Sequence, residues 1–246
     1  MNKDERFFRV PSWYPDLAQY TWETKFVKLP PEAIEMIASA NFDNCNELLF
    51  SQISKNLMSD MSELLSEIPG NAFVFTDSCA PTDTERYFNK GGAVYSARSA
   101  LANLLHSRKI ISAAKCGEIE YICMRPYRNI TKAREFRLFI NDGKLVAMSQ
   151  YHLIRHFRRL EGVKDSYWEQ AVDFVNEISW RLTVKTLVMD IYITSDRNIF
   201  VVDLNPWGEG TDPLMLITWD RDWTQPVGIK LMAPPIALSG DVKVSF

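Results

Sequence analysis

Asp190, Asp203 and Asn205 are the residues whose types and spacing point most directly to chemistry. Asp190 interrupts the apolar run 187–193, where a lone carboxylate is costly to bury unless cations or hydrogen bonds compensate it. Asp203 and Asn205 end the next apolar run, and the period of two places both side chains on one face of a strand. If the two strands pair antiparallel through the polar turn 195–198, the three side chains converge.

This donor set favours a magnesium site. Carboxylate and amide oxygens suit Mg²⁺, which also takes phosphate oxygens and water, whereas Zn²⁺ prefers His and Cys. Asp190, Asp203 and Asn205 are therefore the candidate metal ligands. An ordinary alternative stays open, in which Asp190 caps a bulge, Asp203 pairs with an arginine and Asn205 begins the turn at Pro206.

Arg125 and Arg137 are the candidate phosphate ligands, since each ends or interrupts an apolar strand pattern. Arg137 shares a strand face with Glu135, so an internal ion pair is the ordinary explanation for it. A second basic cluster could contact an anion but is typical of a solvated surface; it comprises Arg155, His156, Arg158 and Arg159.

Other site types lack their motifs. The sequence contains no GxxxxGK[ST] phosphate loop and no GxGxxG fingerprint. It also has no GxSxG nucleophile elbow, so a covalent hydrolase is not expected. His152 and His156 have helical spacing but no HExxH glutamate, so a zinc site is not expected. The cysteines show no CxxC spacing and are expected to be free thiols: Cys45, Cys79, Cys116 and Cys123.

Composition limits the function classes. The 246 residues are 46% hydrophobic, as in ordinary globular proteins, so collagen-like and largely disordered chains are excluded. The 28 Lys and Arg against 31 Asp and Glu give a net charge of −3, which encodes no general attraction to nucleic acid or anionic membrane. A charged N-terminus and the lack of an apolar run of about 18 residues predict a cytoplasmic protein.

The elements that must position these residues alternate between helices and hairpins. Helices are predicted over 31–39, over about 20 residues from 48 to 68, around 97–105 and over 167–182. Strands are predicted over 72–75, 119–124, 135–140, 145–150, 186–193 and 199–204, with a turn at Asn141-Asp142-Gly143. Hairpins mixed with helices, without a βαβ run, predict an α+β fold.

Several of these segments resemble the cell division cycle protein 123 (D123) family, which has the ATP-grasp fold. The resemblance lies in Val188-Met-Asp190-Ile-Tyr192 and in Val202-Asp203-Leu-Asn205-Pro-Trp-Gly208-Glu209. Further matches, in chain order, are Ser12-Trp-Tyr-Pro15, Ala80-Pro-Thr-Asp83, Met124-Arg125 and Glu135-Phe-Arg-Leu-Phe139.

The resemblance implies an ATP-grasp protein with two lobes, residues 1–115 and residues 116–246, and ATP between them. It implies that Asp190, Asp203 and Asn205 bind Mg²⁺ on the second lobe, with Asp190 and Asp203 counted in the ATP site. Arg137 would contact the phosphates and would be the catalytic residue of any reaction. The backbone of the strand Tyr121, Ile122, Cys123 and Met124 would read adenine, with Arg125 beside it.

Two positions depart from the family pattern. Phe75 stands where the family has a lysine, and Thr82 stands where it has a basic residue. One phosphate cation is then missing or comes from elsewhere, with Arg86 and Lys90 as candidates.

The function implied by the resemblance is that of an assembly factor that binds ATP and Mg²⁺. Eukaryotic members of the family promote joining of the alpha and gamma subunits of translation initiation factor 2. We therefore expect a protein partner, the gamma subunit if the source is eukaryotic. Two alternatives stay open: a carboxylate-amine ligase that forms an acyl phosphate, and a nucleotide-binding remnant without turnover.

Overall fold

The computed structural model describes residues 6–41 and 43–235, and these divide into two compact units. The first unit takes the described part of Met1–Ile130 together with Arg181–Val184. The second takes Thr131–Trp180 and the described part of Lys185–Phe246. Each unit contains one sheet with helices, so the predicted α+β class is confirmed.

The first unit is built on a four-stranded antiparallel sheet of order β1-β4-β2-β3. Its strands are β1 (Lys25–Lys28), β2 (Ala72–Thr76), β3 (Ala93–Val94) and β4 (Tyr121–Pro126). Its helices are α1 (Val10–Leu17), α2 (Pro31–Ser39), α3 (Cys45–Leu49), α4 (Gln52–Ser66), α5 (Glu85–Lys90), α6 (Ala97–Leu105) and α7 (Arg108–Lys115). Apolar faces of α2, α3, α4, α6 and α7 and of the sheet form one buried core.

The helix predicted from 48 to 68 is wrong, because the chain breaks into α3 and α4 at Phe50-Ser51. Ser51 has extended backbone angles, and its hydroxyl accepts a hydrogen bond from the amide of Ser54. A side-chain cap of this kind satisfies a free amide at the start of a helix, so Ser51 begins α4. The helix α2 starts at Pro31, as predicted.

The second unit is built on a five-stranded sheet of order β8-β7-β5-β6-β9. Its strands are β5 (Glu135–Asn141), β6 (Lys144–Gln150), β7 (Leu187–Ile193), β8 (Ile199–Pro206) and β9 (Gly228–Lys230), and only β9 runs parallel to its neighbour among the described strands. Its helices are α8 (Arg158–Glu161) and α9 (Lys164–Ile178). Both predicted hairpins are present, and positive φ at Asp142 and Gly143 closes the first.

The two faces of the second sheet pack against different parts of the chain. On one face Phe136 of β5 meets Tyr167 of α9, with ring centroids 5.7 Å apart. On the other face Phe139 packs against three tryptophans of the chain that follows β8, namely Trp207, Trp219 and Trp223. This second face also carries the residues predicted to do chemistry, since Arg137 lies two positions before Phe139 on the same strand.

Three further expectations concern the whole chain. The lobe boundary at 115/116 stays a prediction, although β4, which it assigned to the second lobe, is hydrogen-bonded between β1 and β2 in the first unit. All four cysteines are free thiols, as predicted. Within the described residues, no helix is both long and apolar enough to cross a bilayer.

Candidate functional site

Arg137, Asp190 and Asp203, which we call the charged row, lie side by side across three strands. Arg137 of β5 is the register partner of Asp190 of β7, and Asp190 is the register partner of Asp203 of β8. Register partners in antiparallel strands project from the same face of the sheet, about 4.5–5.5 Å apart at Cβ. The two carboxylates therefore share one face, with Arg137 on the far side of Asp190.

Arg137 and Asp190 form a buried, two-pronged ion pair. Nε of Arg137 donates to Oδ1 of Asp190 at 2.7 Å, and Nη2 donates to Oδ2 at 2.8 Å. Both side chains are more than 90% buried. The compensating charge that Asp190 needs inside an apolar strand is thus Arg137. The ion pair between Arg137 and Glu135 considered from the sequence is wrong, because Glu135 contacts His152 instead, at 2.8 Å.

The chain after β8 folds back over the charged row. The backbone carbonyl of Asp212 accepts a hydrogen bond from Nη1 of Arg137 at 2.8 Å. The amide of Met215 donates to Oγ of Ser149, the register partner of Arg137 on β6. The guanidinium also lies over the ring of Tyr151, 5.3 Å from its centroid. Three contacts besides the ion pair therefore fix Arg137 or its strand neighbour in place.

Burial sets the ionisation of these groups. It raises the pKa of the Asp190 carboxyl, and the hydrogen bonds from Arg137 oppose that rise. Burial alone would lower the pKa of Arg137, but the hydrogen bonds to Asp190 raise it above its usual value. Burial beside Asp190 raises the pKa of Tyr151 well above its usual value, so the phenol stays neutral at pH 7. The negative charge of Asp203 adds to the rise at both Arg137 and Tyr151.

Asp203 and Asn205 form the accessible side of the site. Both are half-buried, and Nδ2 of Asn205 donates to Oδ2 of Asp190 at 3.2 Å. Asp190, Asp203 and Asn205 are thus neighbours on one face, and their oxygens are the hard donors that Mg²⁺ takes. Among the described residues, no three His, Cys, Asp or Glu side chains form a metal-binding group, so the fit here depends on the amide of Asn205.

The segment that carries this site is similar to proteins of a known family. Residues 104–222 match the D123 family model. This segment, just under half of the chain, is similar to the D123 family. The "Translation initiation factor eIF2 assembly protein" of Vanderwaltozyma polyspora is 36% identical over 109 residues, which are 44% of this chain and 29% of that protein. "Cell division cycle protein 123" of Candida glabrata is 36% identical over 102 residues, 41% of this chain and 28% of that protein.

The fold agrees with that of a solved D123 relative. C-terminally truncated Cdc123 from Schizosaccharomyces pombe has a TM-score of 0.73 and 18% identity, covering 89% of this chain and 91% of that chain. The predicted α+β fold is thus confirmed and is that of Cdc123. The sequence alignments span less than a third of the length of the curated relatives named above.

The expected adenine-binding strand, Tyr121–Met124, stays a prediction. β4 is a central strand, and its residues Tyr121–Met124 pair with β1 on one side, while the same strand pairs with β2 on the other. Its backbone groups therefore form hydrogen bonds within the sheet on both sides. The sequence could not reveal this, because β1 has only four residues and shows no clear alternation.

Arg125 and Phe75, the D123 positions of interest in the first unit, lie together. The Arg125 guanidinium lies 4.9 Å from the ring centroids of Trp22 and of Phe75, and 5.5 Å from that of Phe73. Phe75 is 6% exposed. Phe75, where the family resemblance implies a lysine, thus packs beneath a cation. Of the two candidate replacements for that lysine, Arg86 donates to the carbonyl of Ala93 and lies near the ring of Tyr95.

Sequence reasoning missed several residues around the charged row. Arg137 lies over the ring of Tyr151, pairs in register with Ser149 and donates to the carbonyl of Asp212. These contacts exist because the fold brings β6 and the chain after β8 next to β5. The one available signal was the spacing of two between Ser149, in β6, and Tyr151, directly after it.

Proposed function

We propose that this chain binds Mg²⁺ and ATP at the charged row and acts as an assembly factor for a protein partner. The observation that carries the proposal is the register of Arg137, Asp190 and Asp203 across three neighbouring strands. Two carboxylates against one guanidinium leave a local charge of about −1, which favours a further cation. Asn205 supplies an amide beside the Asp190 carboxylate.

Each residue has a defined role in this proposal. Asp190, Asp203 and Asn205 would hold Mg²⁺, which when bound neutralises phosphate charge and orients the phosphate oxygens. Arg137 is kept charged by Asp190 and is fixed in orientation by the carbonyl of Asp212, so it presents a pre-positioned cation to a phosphate. Tyr151 stays neutral and adds no charge that would repel a phosphate.

The proposed partner is translation initiation factor 2, through its gamma subunit if the source is eukaryotic. The names of the curated relatives support this partner, and the family match at residues 104–222 includes the whole charged row. In this proposal nucleotide binding orders the site, and the protein surface around it engages the partner.

Thermal unfolding with and without Mg·ATP tests the nucleotide site. A ligand at about 100 times its dissociation constant stabilises the folded state by about 2.7 kcal/mol. We expect a rise in melting temperature for the natural chain and for D196A, a control in the exposed turn of the same hairpin. We expect no rise for D203A. An equal rise in D203A and D196A would remove the metal assignment.

Two further measurements test the assembly role. The purified alpha and gamma subunits of initiation factor 2 are mixed with the chain and Mg·ATP, and the alpha–gamma complex is quantified by size exclusion. We expect more complex with the natural chain than with D203A. Release of ADP and phosphate is measured in parallel with amino-acid mixtures. Turnover that depends on an amino acid, without any gain in complex, would replace the assembly role by that of a ligase.

A further inference from the structure

The loop 151–157, between β6 and α8, exposes two neighbouring aliphatic side chains. Leu153 is 40% exposed and Ile154 is 63% exposed. Single exposed apolar residues are common on protein surfaces. An adjacent pair indicates an interaction site when the loop that carries it is held in one conformation. The contacts of this loop show that it is.

A buried glutamine holds the loop backbone. Gln150 is 1% exposed, and its Nε2 donates to the carbonyls of His152 and Arg155, at 2.6 and 3.0 Å. Its Oε1 accepts a hydrogen bond from the amide of Met232 at 3.2 Å. A buried amide with both ends satisfied specifies one geometry, since every alternative leaves a buried polar group unpaired. Gln150 thus fixes the loop on both sides of Leu153 and Ile154.

Further contacts pin the two ends of the loop. The ring of His152 contacts Glu135 of β5 at 2.8 Å, and the ring of His156 contacts the carbonyl of Met232 at 2.9 Å. Phe157 is 8% exposed and anchors the entry to α8 in the core. The exposed pair is therefore presented by a rigid loop rather than by a segment that could turn its apolar side chains inward.

Three arginines lie close in sequence to the exposed pair. Arg155, Arg158 and Arg159 are all exposed, and the Arg155 guanidinium lies 5.1 Å from the ring centroid of Phe157. Between residues 151 and 163 the single acidic residue is Glu161, which lies 3.8 Å from His156. The surface is basic in a chain whose net charge is −3, so its charge is a local feature.

We propose that the 151–157 loop, with Arg158 and Arg159, docks an acidic segment of a protein partner that places apolar side chains on Leu153 and Ile154. Apolar contacts at the centre and charged contacts at the rim are the ordinary anatomy of protein interfaces. The surface would serve the partner binding of the proposed function and rests on it for its biological role. Its chemistry stands on these contacts alone.

A bilayer and a nucleic acid fit this surface less well. Two adjacent aliphatic side chains form a short apolar contact, which fits a peptide segment better than a bilayer, where a long apolar face is buried. The exposed pair of the loop is aliphatic, whereas single-stranded nucleic acids are held by stacking on aromatic rings. An acidic peptide segment with apolar side chains satisfies both parts of the surface.

The test uses the full chain without nucleotide and fluorescein-labelled peptides of about 12 residues. One peptide has two central leucines flanked by glutamates, one replaces the glutamates by lysines, and one replaces the leucines by serines. We expect the acidic leucine peptide to bind at least about tenfold more tightly than either other peptide, by fluorescence polarisation. The variants L153S/I154S and R158E/R159E should each lower the affinity for the acidic leucine peptide by about tenfold or more. F88S, at a 76% exposed residue of the first unit, is the matched control.

Three results would overturn the proposal. They are equal binding of the three peptides, unchanged binding by both double variants, and binding of phosphatidylserine vesicles in place of the peptides. Q150L gives an independent check, since it keeps the surface residues but removes the buried contacts to His152 and Arg155. Q150L should weaken the binding of the acidic leucine peptide. A circular dichroism spectrum checks that the variant folds. Because nucleotide is absent, failure here is distinguishable from failure of Mg·ATP binding at Asp203.

Discussion

Arg137 and Asp190 face each other across β5 and β7 and are joined by two hydrogen bonds, of 2.7 and 2.8 Å. The two residues that the sequence suggested for different tasks, phosphate contact and metal binding, are thus each other's partner. This pairing explains how a carboxylate can occupy the middle of an apolar strand. The pairing also couples phosphate contact to metal binding, because an anion that binds Arg137 weakens the neutralisation of the Asp190 carboxylate.

The first prediction follows from this coupling. Replacing Arg137 by methionine leaves a buried carboxylate without its cation, which should cost about 3–5 kcal/mol in the free energy of unfolding at pH 7. R137M/D190L should recover most of that loss, because no charge is then left unpaired. Urea unfolding measures both, with R128M at an exposed arginine as the control.

The loss in R137M should also depend on pH. Without Arg137, burial raises the pKa of Asp190 in the folded state above its unfolded value of about 3.9, so the ionised carboxylate penalises folding at neutral pH. The penalty should shrink as the pH falls toward about 4, where the unfolded state also binds the proton. A deficit that stays constant from pH 7 to pH 4 would show that Asp190 is not its source.

The second prediction concerns magnesium. In N205D a carboxylate replaces the amide that donates to Asp190 at 3.2 Å, so without metal we expect a loss of about 1–3 kcal/mol in unfolding free energy. Mg²⁺ should stabilise N205D more than the natural chain, since the site gains a hard anionic ligand. N198D, in the exposed turn of the same hairpin, is the control. Equal stabilisation of all three proteins by Mg²⁺ would contradict the assignment.

How far the sequence could predict this site depends on how local each contact is. A short polar turn joins β7 to β8, so the shared face of Asp190 and Asp203 could be predicted from strand alternation and the turn. The pairing of Arg137 with Asp190 spans 53 residues and requires β5 to lie beside β7, which no local pattern states. The sequence therefore offered Glu135, the near neighbour, as the partner of Arg137.

The same limit explains which elements could be predicted. Asn141-Asp142-Gly143 specified the first hairpin of the second unit, because positive φ at two successive residues favours these types. The strands β1, β3 and β9 have only two to four residues, too few for alternation to be visible. The break at Ser51 lay within a continuous apolar periodicity, and only the capping hydroxyl of that residue reveals it.

The third prediction concerns Phe75, where the family resemblance implies a lysine. F75K would place a buried ammonium where the ring of Phe75 now lies 4.9 Å from the Arg125 guanidinium. Loss of a buried ring and repulsion between two cations should cost about 3 kcal/mol or more in unfolding free energy. F88K, at an exposed phenylalanine of the same unit, is the control and should cost little. If F75K keeps its stability and binds Mg·ATP more tightly, Phe75 has replaced a functional lysine without a structural compensation.

The fourth prediction concerns acid stability of the first unit. Oδ1 of Asp83 accepts a hydrogen bond from the Ser107 hydroxyl at 2.6 Å, and Oδ2 accepts one from the Lys109 amide at 3.1 Å, at the start of α7. Partial burial alone would raise the pKa of Asp83, but these hydrogen bonds lower it below the usual value. A lowered folded pKa means that the ionised carboxylate stabilises the fold above about pH 4, and that this contribution is lost as the pH falls through the folded pKa. D83A should therefore cost about 1 kcal/mol at pH 7 and much less at pH 3, as measured by urea unfolding at both values. D60A, at an exposed aspartate of α4, serves as the control, and a D83A deficit that is equal at the two pH values would contradict the role of the carboxylate charge.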